Sequence, residues 1–149
     1  MVIKMDGMAC DSDEPPSQYE KSIWMVVSGK GRVMPKKITK DIRLSEAGKW
    51  LVFLYESKID SIWAKIKELY KSGDLWGSAK CSTQKSKSAN MEGNYVVVLY
   101  CTCEEDRLHN RQILREKVGI LWKIPYKLEV DTGKRYYDKG DRNISKYYE

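Results

Sequence analysis

The chain has 149 residues, of which 42% are apolar and 11% aromatic, and its formal net charge is +6. This length suits one domain with its own core, and the composition is that of a globular protein rather than a disordered one. No apolar run approaches the roughly 18 residues that a membrane helix needs, and residues 1–20 lack the pattern of a secretory signal. We therefore expect a cytoplasmic or nuclear protein without a membrane partner.

The positive charge is concentrated in the first half of the sequence, after an acidic start. Residues 1–22 hold five acidic and two basic side chains, whereas residues 28–49 hold seven basic and two acidic ones. Such clustering favours a polyanionic partner. A lysine-rich solvated surface that has no partner explains the same pattern equally well.

The N-terminal part has the composition of an extension that precedes the folded domain. Residues 1–20 combine acids, two adjacent prolines and small polar side chains, which predicts a flexible N-terminal segment. The remaining residues, 21–149, are predicted to form a single α+β domain. Its first strand covers the apolar run 23–27, and the basic stretch 30–43 has no regular period, which indicates a long loop.

A strand and a helix follow the basic loop. Residues 50–55 are aromatic and β-branched, which is typical of a strand. From Ser57 onwards apolar side chains recur at three- and four-residue spacing until Gly73, which predicts an amphipathic helix. The apolar stripe of this helix consists of Ile59, Ile62, Trp63, Ile66, Leu69 and Tyr70. This stripe must lie on a sheet, because burying each large apolar side chain gains about 1.5–3 kcal/mol.

The second half of the chain continues with strands and a second helix. Residues 78–83 and 95–103 are predicted strands joined by a polar loop, and residues 104–118 are a predicted helix. The apolar side chains of this helix are Leu108, Leu114 and Val118, and residues 122–127 form the last predicted strand. The order predicts an antiparallel or mixed sheet with the two helices on one face, which leaves the other face free for a ligand.

Lys80 is the candidate residue that this arrangement singles out. Strand alternation places Lys80 and Ser82 on the free face, Tyr100 on the neighbouring strand, and Lys123 and Lys127 on the last strand. If the strand registers agree, these side chains converge and form a seat for a phosphate group. The alternative is that each lysine extends from a half-exposed sheet and keeps its ammonium group in water.

The aromatic residues suggest a second kind of contact, which is stacking on a base. Trp24, Trp50 and Trp122 lie in predicted strands, where core packing is the common role. Trp76 lies in a turn between glycines and is the candidate for an exposed role, with core packing as the alternative. Tyrosines alternate with basic residues in the tail 131–149, as in proteins that bind single-stranded nucleic acid, and packing on the domain is equally consistent.

Sequence patterns of catalysis and metal binding are weak. No glycine-rich phosphate loop or nucleophile elbow occurs, and His109, the single histidine, lies among charges on the second helix, where we expect it to be exposed. The four cysteines include no Cys-x-x-Cys pair, so we predict buried thiols, no metal and no cofactor. Catalytic residues are not predicted.

The stretch 48–130 resembles the Bles family, which is named for a basophilic-leukaemia-expressed protein. The resemblance is carried by Gly48-Lys49-Trp50, residues 59–63, Ala79-Lys80 and Tyr126-Lys127. It implies the fold of translation initiation factor 4E, which is a curved antiparallel sheet with helices on its convex side. That factor binds the mRNA cap with two tryptophans and a nearby acid, but no Trp-Glu pair occurs here, so cap recognition is not implied.

The sequence therefore predicts binding of RNA or a nucleotide on the concave face of the sheet. The predicted contact residues are Lys80, Ser82, Tyr100, Lys123, Lys127 and Trp76. Two alternatives remain open at this point, which are a metal-independent enzyme that acts on a phosphorylated substrate and a module that binds a protein partner.

Overall fold

A seven-stranded sheet forms the centre of the computed structural model, which describes residues 9–10, 13–29, 47–89, 94–128 and 147–149. The strands are β1 (Ala9–Cys10), β2 (Trp24–Ser28), β3 (Gly48–Leu54), β4 (Ser78–Ser82), β5 (Tyr95–Cys101), β6 (Pro125–Leu128) and β7 (Tyr147–Tyr148). The helices are α1 (Glu56–Ser72), α2 (Gln84–Ala89) and α3 (Glu104–Ile113). The predicted α+β fold is confirmed.

The strands lie in the order β1-β2-β4-β5-β3-β6-β7. Every neighbouring pair is antiparallel except β1 and β2, which run parallel. The longest pairing joins β3 to β5, from Gly48 opposite Cys101 to Leu54 opposite Tyr95. These two strands are the most apolar in the chain, so the sequence places its best strand formers at the centre of the sheet.

Helix α1 packs on one face of the sheet through the predicted stripe. Ile59, Trp63, Ile66 and Tyr70 are buried in the core, and the other two members of the stripe pack against its edge. The helix begins at Glu56, one residue before the predicted start at Ser57, and ends where Gly73 adopts a φ of 92°. A left-handed residue at this position favours glycine.

Helix α3 covers the same face but differs from its prediction. It continues as a π-helical turn, Leu114–Val118, and ends at Gly119 as predicted. Leu108, expected in the apolar stripe, is 49% exposed. The buried side of α3 is polar instead and consists of Asp106, Arg107, Asn110 and Arg111. Apolar periodicity therefore does not identify the buried face of this helix.

Two boundaries shift for identifiable reasons. Strand β6 begins at Pro125 rather than residue 122. Nη2 of Arg111 donates a hydrogen bond to the carbonyl of Trp122 at 2.7 Å, so this carbonyl does not pair with a neighbouring strand. Helix α2 occupies the start of the predicted polar loop between β4 and β5. No helix in the described ranges is long and apolar enough to cross a membrane.

Part of the predicted flexible N-terminal segment packs on the domain. Residues Pro16–Gln18 form a 3₁₀ turn, Tyr19 is buried, and the backbone N–H and hydroxyl of Ser17 bond the carboxylate of Asp60 at 3.0 and 2.5 Å. Residues 13–20 thus include contacts with the folded domain, and the flexibility of residues 1–20 stays a prediction. Residues 1–8 and 11–12 lie outside the described residues, as does the basic loop 30–43.

Gly48 allows β3 and β6 to approach each other, which gives a test of the sheet. A Cβ atom at this position would overlap the carbonyl oxygen of Lys127 and lie 2.5 Å from the Tyr126 ring. We expect Gly48→Ala to lower the free energy of unfolding by about 3 kcal/mol, measured by urea denaturation. Gly119→Ala is the control, because its Cβ meets open space and only its φ of 88° is strained, at about 1 kcal/mol. Equal losses would contradict this packing.

Candidate ligand face

The sheet has a second face, opposite α1 and α3, which we call the distal face. Alternation along the strands places three rows of side chains on it. The first row is Ser28, Ser78, Tyr100, Lys49 and Lys127; the second is Val26, Lys80, Val98, Leu51 and Pro125; the third is Trp24, Ser82, Val96 and Phe53. Leu51 and Val98 are only 7% and 4% exposed, so the centre of the face is apolar and its rim carries the polar groups.

Lys80 lies between two aromatic rings on the distal face. Its ammonium nitrogen is 4.1 Å from the centroid of the Trp24 ring and 5.8 Å from that of Tyr100. An ammonium group over a ring face is attracted by the ring's π electrons, and the attraction increases where water is displaced. The half-buried Lys80 side chain is therefore directed by its neighbours rather than extending freely into solvent.

The register shows how the predicted cations are arranged. Tyr100 lies opposite Lys49, and Lys49 lies opposite Lys127 on the next strand. Lys80 lies three strands from Lys127, which is about 14 Å at the usual strand spacing. Lys80 and Lys127 thus share the face but do not meet directly, and Tyr100 and Lys49 lie between them.

Two other predicted contact residues have different surroundings. Ser82 shares the distal face but is buried, and its hydroxyl accepts a hydrogen bond from the backbone N–H of Val96 at 2.9 Å. Lys123 is exposed but precedes β6, so the prediction that it shares a strand face with Lys127 is wrong. The diversion of the preceding carbonyl to Arg111 accounts for this difference.

Trp76 lies on the helix side of the sheet, away from the distal face. The side chain of Asn110 on α3 accepts from the Trp76 backbone N–H at 3.0 Å and donates to its carbonyl at 2.9 Å. The Trp76 ring stacks on His109 with a centroid distance of 3.6 Å and an angle of 9°. His109, predicted to be exposed, is half-buried, and its Nε2 lies 2.6 Å from the carbonyl oxygen of Asp74.

The same turn carries an exposed ion pair. Lys117 donates a hydrogen bond to the Asp74 carboxylate at 2.9 Å. This bond is the main reason that the pKa of Asp74 lies below its ordinary value. The turn is thus held by both its backbone and its side chains, which is typical of a structural element rather than a binding site.

Three residues of the distal face were missed as site candidates. Trp24 was assigned to the core, but its alternation with the buried Met25 and Val27 indicates the opposite face. Phe53 is 54% exposed in the same row as Trp24. Lys49 lies between Tyr100 and Lys127 in the first row. Only the register of β3 between β5 and β6 identifies this position.

Two of the thiols, those of Cys81 and Cys101, are buried in the core. Burial raises the pKa of Cys81 well above its ordinary value and that of Cys101 to about 12, so both thiols are protonated near neutral pH. Among the residues that the structure describes, no group of three or more His, Cys, Asp or Glu side chains could hold a metal ion.

Comparison with known proteins defines the class of fold and then the family. Crystal structures of schistosome eIF4E complexed with 4E-BP and either m7GpppG or m7GpppA each match at 17% identity. Each match has a TM-score of 0.52 and covers 78% of this chain and 65% of the other. C. elegans eIF4E-3 in complex with Mextli matches at 18% identity and a TM-score of 0.45, covering 68% and 63%. The chain thus spans less than two thirds of these eIF4E chains, and the similarity shows the eIF4E-like fold.

A family model described as Basophilic leukemia-expressed protein Bles03 matches residues 36–116. The chain belongs to this family, as the sequence resemblance predicted. No curated protein matches the chain.

The bonds from Asn110 to Trp76 give a test of the structural role of this turn. Asn110→Ala leaves a backbone donor and acceptor of Trp76 without this partner, and we expect a loss of about 3 kcal/mol in the free energy of unfolding. Gln112→Ala on the same helix removes only an exposed bond to Glu116 and should change stability by less than about 0.5 kcal/mol. Urea denaturation of both variants measures the difference, and a loss below about 1 kcal/mol in Asn110→Ala would contradict the assignment.

Proposed function

We propose that the protein binds RNA or a nucleotide through the distal face of its sheet. The observation that carries the proposal is the position of the Lys80 ammonium between Trp24 and Tyr100, on a face where Lys49 and Lys127 lie directly opposite each other. Phosphate oxygens would contact the lysines and the Tyr100 hydroxyl, which supply charged and neutral donors.

The arrangement of charge favours an anionic ligand. Lys49 and Lys127 lie directly opposite each other on neighbouring strands, and Lys80 lies on the same face. Asp60, Glu104 and Asp106 lie on the helices that cover the other face. The distal face therefore concentrates positive potential on one side of the sheet.

The aromatic row supplies the second element of nucleic-acid recognition. Phe53 is 54% exposed and Trp24 half-buried, and both lie in the row next to Lys80. Bases stack on such rings with little dependence on sequence, so the face suits single-stranded RNA. The fold offers a precedent, because the similar schistosome eIF4E was crystallised with m7GpppG.

Salt dependence of RNA binding tests the proposal. The measurement is the fluorescence anisotropy of a labelled single-stranded RNA of about ten nucleotides, titrated with the protein at 50 and 200 mM salt. Each neutralised phosphate releases counterions, so with about three contacts the affinity should fall about 20-fold between the two conditions. Unlabelled mononucleotides added as competitors distinguish a nucleotide site from an RNA site.

Lys80→Met tests the placement of the site. This change keeps the aliphatic stem of the side chain and removes the charge, and we expect at least tenfold weaker binding and a shallower salt dependence. Lys58→Met is the matched control, because Lys58 is exposed on α1, on the opposite side of the sheet. Equal weakening in both variants, or no binding of RNA or mononucleotides by the unmodified protein at low salt, would overturn the proposal.

A further inference from the structure

Residues 147–149 lie along the edge of β6 as an added strand. Tyr147 pairs with Tyr126 and Tyr148 with Pro125. Glu149 exchanges both backbone hydrogen bonds with Ile124, at 2.9 and 3.1 Å. The backbone of three consecutive residues thus pairs with the backbone of this edge, as an extended peptide does when it adds to an exposed sheet.

A buried arginine contacts two side chains of this tripeptide. Arg107, 5% exposed, donates from Nη1 to the Glu149 carboxylate at 2.9 Å. Its guanidinium carbon lies 3.7 Å from the centroid of the Tyr147 ring, so it stacks on the aromatic residue and pairs with the acid. Its other ion pair is with the exposed carboxylate of Glu104, at 3.4 Å.

A second buried arginine contacts the backbone of the tripeptide. Arg111, 2% exposed, donates from Nε to the main-chain oxygen of Glu149 at 2.9 Å, and its remaining donors bond the carbonyls of Ile120 and Trp122. Burial and the neighbouring Arg115 lower the pKa of Arg111 to about 10, and Glu149 opposes this shift. The acidic residue therefore offsets part of the cost of burying the guanidinium group.

The contacts of the tripeptide distinguish its three positions. The first residue meets Arg107 through its ring, and the third is held at both its side chain and its backbone. Tyr148, between them, is 64% exposed and points to the distal face. Eighteen residues separate β6 from β7 in the sequence, which is more than the two to five of a short hairpin loop.

From this geometry we infer that the β6 edge, Arg107 and Arg111 form a recognition site for an extended peptide in which an acidic residue follows two positions after an aromatic one. The chain's own Tyr147-Tyr148-Glu149 occupies this site, and a partner protein carrying the same pattern binds by displacing it. The middle residue of the peptide is not selected. The site lies on the helix side and edge of the sheet, so its occupancy is measured independently of RNA binding.

The test uses a labelled peptide with the sequence of residues 143–149 and a protein that ends at Lys146. We expect the shortened protein to bind the peptide, and the full chain to bind it at least tenfold more weakly, since its own tail competes. Peptides with Tyr147→Ala or Glu149→Gln should bind at least tenfold more weakly than the parent, and a Tyr148→Ala peptide should bind equally well. Fluorescence anisotropy measures all of these affinities.

Two further variants test the contribution of Arg107 to peptide binding. Arg107→Lys in the shortened protein retains the charge but loses the planar stacking group, so binding should weaken, whereas Arg115→Lys, at an exposed position, should not change it. If the shortened protein does not fold by circular dichroism, full-length Glu149→Gln replaces it and must bind the parent peptide more tightly than the unmodified full chain does. Absence of peptide binding in the folded protein used, or equal loss with the Tyr148→Ala peptide, would overturn the inference.

Discussion

The indole N–H of Trp50 donates a hydrogen bond to the carbonyl of Arg107 at 3.0 Å inside the core. Trp50 is fully buried on a central strand, and its ring meets Tyr126 edge-on at 4.9 Å. This hydrogen bond joins α3 directly to a central strand of the sheet, at Arg107, one of the two buried arginines. The buried polar side of α3 is tolerated because sheet and tail supply partners for Arg107 and Arg111, since an unpartnered buried charge is strongly unfavourable.

The sequence predicts those parts of the fold in which local pattern and burial agree. The apolar stripe of α1, the glycines that end α1 and α3, and the strands β3 and β5 follow directly from side-chain periodicity. Periodicity does not predict the packing of helix α3, because its buried face is polar and several of its partners, such as Glu149 and Trp76, are more than thirty residues away in the sequence. The sequence likewise does not predict β7, because its two residues show no apolar alternation.

The candidate site, too, is predicted from the sequence only in part. Alternation alone places Lys80 and Tyr100 on one face, and the notion of a cationic, aromatic surface follows from it. The strand register gives the positions that alternation leaves open. It adds Lys49 to the residues of the face and separates Lys80 from Lys127. It also places Trp24 near the ammonium group of Lys80. Trp76 has the neighbours of an exposed turn residue in sequence, yet Asn110 and His109 on a distant helix contact it in the fold.

The two shortest strands lie at opposite ends of the sheet, β1 on β2 and β7 on β6. Each covers part of a row of backbone donors and acceptors that would otherwise be open to another chain. Open strand edges are templates for aggregation, and short covering strands are one way in which proteins suppress it. A fragment limited to residues 21–128 would lack both covering strands, so the edges of β2 and β6 would be exposed together. The two short strands thus give the sheet ends that are already paired.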